Sequence, residues 1–169
     1  MTAFRAEAFD LGRADYDPAG VLQAWLTLQR SRQGFMIEKD DAEESTTTVG
    51  VGPVETLRVL SGRAFREVGA RRWALPGNAF AALGRELGRV SLRGQAPPFS
   101  TGWAGNLSYE MIRHLERLPL KAARQEAALM LYPAMLVADR RRGSARLVAL
   151  IAEGAGAKAA RARAQALVG

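Results

Sequence analysis

Phe4 to Phe9 alternates apolar with polar residues, the two-residue period of an opening strand. Asp17-Pro18 then supplies a capping carboxylate and a proline suited to a helix's first turn. Val21, Leu22, Trp25, Leu26 and Leu28 repeat at helical spacing to about Arg30, which makes Trp25 the expected core anchor of an amphipathic helix. Gly34 breaks the pattern, and Phe35-Met36-Ile37 reads as a buried strand feeding an acidic loop. Thr46 to Pro53, rich in β-branched residues and closed by Gly-Pro, predicts the antiparallel partner of that strand.

Glu55–Leu60, Ala64–Val68 and Arg71–Leu75 are short segments divided by Ser61-Gly62 and Gly69, the punctuation of a meander continuing the same sheet. Ala79, Phe80, Leu83, Leu87 and Val90 return to helical spacing, with Asn78 as the cap and Arg89 near the end. The GQAPP stretch at 94–98 denies helix and central strand alike. Beyond it, Trp103 to Tyr109 suggests a strand in which Gly102 and Gly105 let another backbone approach, followed by a short helix from Glu110 to Leu115. Residues 120–128 read as a connector. Ala134–Asp139 and Ala145–Ile151 flank the turn 140–144 as a hairpin with a basic tip, and the alanine- and arginine-rich tail after Gly154 favours helix. Antiparallel runs with inserted helices, and no regular strand–helix alternation, define an α+β domain over residues 1–154, with 155–169 a helix or linker.

Composition narrows the chemistry. The 169 residues include no cysteine, which excludes disulfides, thiolate metal sites and a thiol nucleophile. The single histidine, His114, leaves any serine–histidine or multi-histidine plan with one imidazole, and its place on a short helix suits packing better than lone general-base work. No Walker loop or dinucleotide fingerprint is present, and Gly50-Val51-Gly52 is a strand end because Pro53 follows it. Asp40, Asp41, Glu43 and Glu44 lack the alternate spacing of a calcium loop and read as a solvated acidic loop.

Net charge is +7. Lys39, Lys121 and Lys158 are the only lysines, so 21 of the 24 basic residues are arginine, scattered from Arg5 to Arg163. Their densest run, Arg140-Arg141-Arg142, falls in a turn, so a solvated basic surface is expected and not a nucleic-acid interface. The first residues lack the 7–15-residue apolar stretch of a secretory signal. No segment approaches the ~20 apolar residues of a membrane helix, so a cytoplasmic protein without a membrane partner is expected.

The segment AGNLSYEMIRHLERLP at 104–119 resembles the G-x-x-G-Y-x-x-Y-D-x-x-R-x-x-E-x-L-P signature in the N-terminal part of chorismate-using large subunits, anthranilate synthase component I and 4-amino-4-deoxychorismate synthase component I. Gly105, Tyr109, Glu110 (usually Asp in the family), Arg113, Glu116, Leu118 and Pro119 stand at matching places. GFMIEK is similar to the family's F-L-L-E-S strand, TTTVGVGP to its R-Y-S-F-I-G-x-x-P strand, and LYPAMLVADRRRGSARLVAL to a later hairpin, while PPF precedes the signature as in the family. The order of these segments holds from about residue 18 to 160.

The resemblance implies one part of the layered αββα sandwich of those subunits, with helices on the outer face. It also implies a non-catalytic role, since the family's chorismate and magnesium sites belong to a further C-terminal domain, so no cofactor is expected in this chain. The implied partners are a catalytic chorismate-binding chain and a glutamine amidotransferase subunit. An exposed apolar patch is expected near the alanine-rich tail, where the catalytic half would join. The family's tryptophan pocket has Glu-Ser where this chain has Glu38-Lys39, and its arginine aligns with Ser45. A lysine ammonium beside tryptophan's own ammonium disfavours that ligand. LYPAMLVAD and the eroded pocket are more like the aminodeoxychorismate branch, which leads to p-aminobenzoate. Two other functions compete: an independent regulatory module with an altered amino-acid pocket, and a basic nucleic-acid binder.

Overall fold

The computed structural model describes residues 2–13, 17–93, 102–116, 118–121 and 123–152, together with Lys158 and Ala162. In chain order the elements are β1 (Thr2–Arg13), α1 (Pro18–Leu28), β2 (Gly34–Asp40), β3 (Ser45–Val51), β4 (Glu55–Leu60), β5 (Arg63–Val68), β6 (Arg71–Ala74), α2 (Ala79–Leu87), β7 (Val90–Arg93), β8 (Gly102–Leu107), a 3-10 helix (Tyr109–His114), β9 (Ala127–Tyr132), β10 (Ala134–Asp139) and β11 (Ser144–Ala152). The chain is α+β, with two mostly antiparallel sheets and few helices. It divides into two compact units, residues 2–53, 91–102 and 132–169 in one and 54–90 with 103–131 in the other.

The first unit holds a six-stranded sheet in the order β2-β3-β10-β11-β1-β7. Its helix forms where the sequence places it: the Asp17 side chain accepts from Ala19 N–H at 3.1 Å, and Pro18 occupies the first turn. Arg30, with φ of 48°, turns the chain out of the helix, a left-handed stop of the kind that ends many helices. Trp25 is buried with Val49, Val51, Leu136, Leu147 and Ile151, so α1 covers one face of the sheet. The other face is buried as well, through Thr48, Met135, Val148 and Leu150. Strands buried on both faces read as unbroken apolar runs, which is why AMLVAD and ARLVALI show no alternation.

The second unit holds a five-stranded sheet in the order β6-β5-β4-β9-β8. Asn78 caps α2, its Oδ1 accepting from Phe80 N–H at 2.9 Å and Ala81 N–H at 3.2 Å. Ala79, Ala82 and Leu83 of α2 pack on Leu57, Val59 and Ala64 of the sheet, with Met111 and Ala127 completing the cluster.

Four expectations need correction. The meander 55–74 does not extend the first sheet; Gly52, with φ of 67°, turns the chain, and Pro53 has no N–H to continue the ladder. Phe35-Met36-Ile37 is a strand but not a buried one, because β2 is the sheet's edge and leaves Met36 39% and Ile37 48% exposed. The helix expected to reach Arg89 stops at Leu87 with Gly88 as its cap, and Val90 opens β7 instead. The expected connector 120–128 runs into β9, a central strand paired from Val59↔Ala127 to Glu55↔Leu131. The GQAPP loop and most of the tail lie outside the described residues, although Lys158 and Ala162 have helical backbone.

Candidate functional site

The most organised polar cluster among the described residues forms around Glu126, whose side chain has no exposed surface. It lies just before β9, and its backbone is fixed on both sides: its N–H donates to Val59 O at 2.8 Å, and its C=O accepts from Ser108 N–H at 2.7 Å. Oε1 accepts from Gly62 N–H at 2.6 Å and from Arg113 Nη2 at 2.9 Å. Oε2 takes Arg113 Nε at 3.1 Å and His114 Nε2 at 2.9 Å, which puts the imidazole proton on Nε2. Asn78 Nδ2 in turn donates to His114 O at 2.9 Å, tying the cap of α2 to the same place.

Local sequence makes the cluster possible. Ser61 (φ 47°) and Gly62 (φ 82°) form the β4–β5 turn in the left-handed region, which aims the Gly62 N–H inward. A Cβ on Gly62 would lie 2.7 Å from Arg113 Nη2, so the position needs glycine for space as well as for dihedral. The 3-10 helix brings Arg113 and His114 together on the carboxylate.

Burial by itself would push the Glu126 carboxyl up. Hydrogen bonds from Arg113, His114 and Gly62 N–H, with the guanidinium charge, overcome this and hold it below its ordinary value of 4.5. Four donors fill a carboxylate that has about four acceptor directions. With no lone pair and no opening left, Glu126 is suited to hold three chain segments together and not to transfer a proton. His114, considered from sequence as a lone base, is a packed donor with 10% of its side chain exposed.

The family-like segment divides by role. Gly105 is where β8 closes on β9: a Cβ there would overlap Ala128 O and stand 2.9 Å from Leu129 Cα. The expected close approach therefore occurs at Gly105, while Gly102 has open space and a φ of 112°. Arg113 is turned inward on Glu126. Tyr109 is 75% exposed, Leu115 61% and Leu107 52%, and Leu118, Glu116 and Pro119 also face out. Glu110 is half-buried on the 3-10 helix.

Glu38, Lys39 and Ser45 lie in the β2–β3 pair, where Glu38 opposes Thr47 and Asp40 opposes Ser45. Strand alternation puts Glu38 and Ser45 on one face and Lys39 on the other. The Lys39 ammonium is engaged by Glu44 at 2.6 Å and Asp41 at 3.3 Å. These bonds, Glu44's first, raise its pKa, and Lys39 lowers that of Glu44. The basic turn is exposed, as expected, with Arg142 80% exposed, yet two of its arginines reach the neighbouring segment. Arg140 meets Glu38 at 3.2 Å, Arg141 donates to Ala42 O at 2.8 Å and to Asp41 O, and Arg142 stands 3.6 Å from Asp139 of its own hairpin. Acidic loop and basic turn are thus both solvent-exposed and linked to each other through Arg140 and Arg141. A depression of about 410 Å³ beside them includes Ser45, Thr46, Asp139 and Arg146.

The second unit's arginines are paired as well. Arg58 meets Glu67 at 3.0 Å, Arg72 meets Glu67 at 2.6 Å, and Arg66 meets Glu55 through two bonds of 2.8 Å. These ion pairs link neighbouring strands of the second sheet and leave the net charge of +7 unchanged. Among the described residues there is no group of three or more His, Asp or Glu placed to hold a metal ion, and no helix long and apolar enough to cross a membrane.

Sequence reasoning missed Glu126. The available signal was a lone carboxylate directly before the apolar run AALMLY, a place where solvation is lost unless partners are supplied. No family model matches the chain, and no curated protein matches it.

Proposed function

We propose that this chain is the non-catalytic N-terminal half of an aminodeoxychorismate or anthranilate synthase component I type protein, the aminodeoxychorismate branch being preferred. It would support a chorismate-converting catalytic domain and help present it to a glutamine amidotransferase. The observation that carries the reading is the division of labour within residues 105–118. Gly105 and Arg113 lock the segment to its own sheet, while Leu107, Tyr109, Leu115 and Leu118 are left facing outward on the same stretch. Exposed apolar side chains on a segment held by a saturated polar anchor suit protein docking better than catalysis. The layered αββα sandwich belongs to the same proposal, as does the absence of a cofactor from this half.

The test is reconstitution. The purified chain is combined with the separately expressed catalytic half of a chorismate-converting large subunit from its own genome, and ammonia-dependent product formation is followed. The chain alone should give no turnover, the mixture should exceed the catalytic half alone, and Leu115→Asp should abolish the gain while leaving the fold intact. Turnover by this chain alone, or no gain in the mixture, overturns the reading.

The altered amino-acid pocket keeps Ser45 alone of its three residues in the mixed-charge depression, whose lining includes neither Glu38 nor Lys39. A thermal-shift screen of amino acids separates the two, since a ligand that saturates the folded state raises its melting temperature by mass action. L-Tryptophan is expected to give no shift.

A further inference from the structure

We propose that the edge strand β2 pairs with β2 of a second copy of this chain, antiparallel, in a single register that sets Ile37 opposite Ile37. The inference does not depend on the chorismate reading.

β2 is a regular seven-residue strand whose every residue is in register with β3, and no described strand lies on its other side. Asp41 N–H donates to Glu44 O and Gly52 N–H to Gln33 O at the two ends of the ladder. Antiparallel strands alternate bonded and non-bonded pairs, so Phe35, Ile37 and Lys39 turn their backbone groups to β3. Gly34, Met36, Glu38 and Asp40 consequently point theirs at the open edge.

Natural edges of this length are normally guarded by proline, a bulge or free charge. β6, the edge of the five-stranded sheet, is four residues long and carries Arg71 and Arg72. β2 has no proline and no register shift, and its exposed charges have partners within the chain: Lys39 with Glu44 and Asp41, Glu38 with Arg140, and Asp40 3.9 Å from the same guanidinium. Its apolar residues are outward too, Met36 on one face and Ile37 on the other.

The strand's own pattern selects the register. A two-fold axis normal to the sheet brings together residues of the same face, so the centre must fall on a residue. Centring on Glu38 sets two carboxylates opposite each other, which is unfavourable. Centring on Met36 leaves Lys39 and Asp40 without a partner strand. Centring on Ile37 uses all seven residues: Gly34 opposes Asp40, Phe35 opposes Lys39 and Met36 opposes Glu38, with no like charges facing. The residues with free backbone groups then face one another, giving about eight hydrogen bonds.

The chain has no cysteine, so Ile37→Cys introduces one thiol, which the symmetry sets opposite its copy in a non-bonded pair with Cα atoms about 4.5 Å apart. Under oxidised glutathione Ile37→Cys should convert to covalent dimer, whereas Glu38→Cys, placed opposite Met36, should not. Sedimentation of the unmodified chain should show a monomer–dimer equilibrium. Met36→Pro removes an N–H that faces the edge and should yield folded monomer, and Ile37→Lys, which sets two ammoniums together, serves should the proline variant not fold. A chain that stays monomeric, a dimer that survives both substitutions, or Glu38→Cys cross-linking as fast as Ile37→Cys overturns the proposal.

Discussion

The guanidinium of Arg113 grips the fully buried carboxylate of Glu126 through two bonds, 2.9 Å from Nη2 to Oε1 and 3.1 Å from Nε to Oε2. Because Glu126 also holds the β4–β5 turn through Gly62, loss of the arginine strands a charge at the meeting point of three segments. Arg113→Met is expected to destabilise the chain by about 3–5 kcal/mol, the usual effect of orphaning one member of a buried ion pair. Arg113→Met with Glu126→Leu should recover part of the loss. Urea midpoints at constant m-value measure both.

Acid should act on the same carboxylate. Its folded value lies below the ordinary 4.5, so its stabilising contribution is complete above the unfolded value and is lost as pH falls through the folded one. Urea midpoints of the parent chain should fall as pH drops below about 4.5, and those of Glu126→Gln should start lower and fall less steeply. Equal acid slopes in the two proteins would show that other carboxylates govern the transition.

Two glycines should respond with opposite sign. Gly105→Ala places a methyl against the backbone of β9, 2.9 Å from Leu129 Cα, and is expected to cost at least the ~1–3 kcal/mol of overpacking. Gly84 lies in α2 with no atom within 4 Å of a Cβ and no positive φ, so Gly84→Ala should stabilise by about 1 kcal/mol. Thermal melts of the two variants decide both.

Asn78→Ala removes a double-accepting cap and the bond to His114 O together. A loss of about 1–2 kcal/mol is expected. Asn78→Asp should restore the cap but not the bond, because a carboxylate cannot donate. The difference between the two variants in urea unfolding measures what the link to His114 contributes.

Local chemistry was the legible part of this chain. Asp17-Pro18 and Asn78 announced both helices through caps that act within a turn, and the hairpin 134–151 followed from its glycine-bearing turn. Edge and centre were not legible, since both depend on neighbours far along the chain. Phe35-Met36-Ile37 looks like a core strand until its position at the rim of the sheet is known, and Ala127-Ala128 looks like a linker until β4 and β8 flank it. For the site, Arg113 could be singled out by its place in a family-like pattern. Its partner, thirteen residues onward, carries only the weaker signal of a carboxylate entering an apolar run, and the four donors that converge on it come from residues 62, 113 and 114, far from it in sequence.

The pairing of β1 with β11, Phe4 against Ala152 through Asp10 against Arg146, has a kinetic consequence. β10 can pair with β3 and β1 can lie beside β7 as soon as those strands are made, but the two halves of the sheet are bridged only by β11, which follows β1 by more than 130 residues. Closing the six-stranded sheet therefore rests on contacts of high sequence separation, so nascent chains halted before residue 144 should hold it unjoined and be the species that chaperones hold and proteases clear.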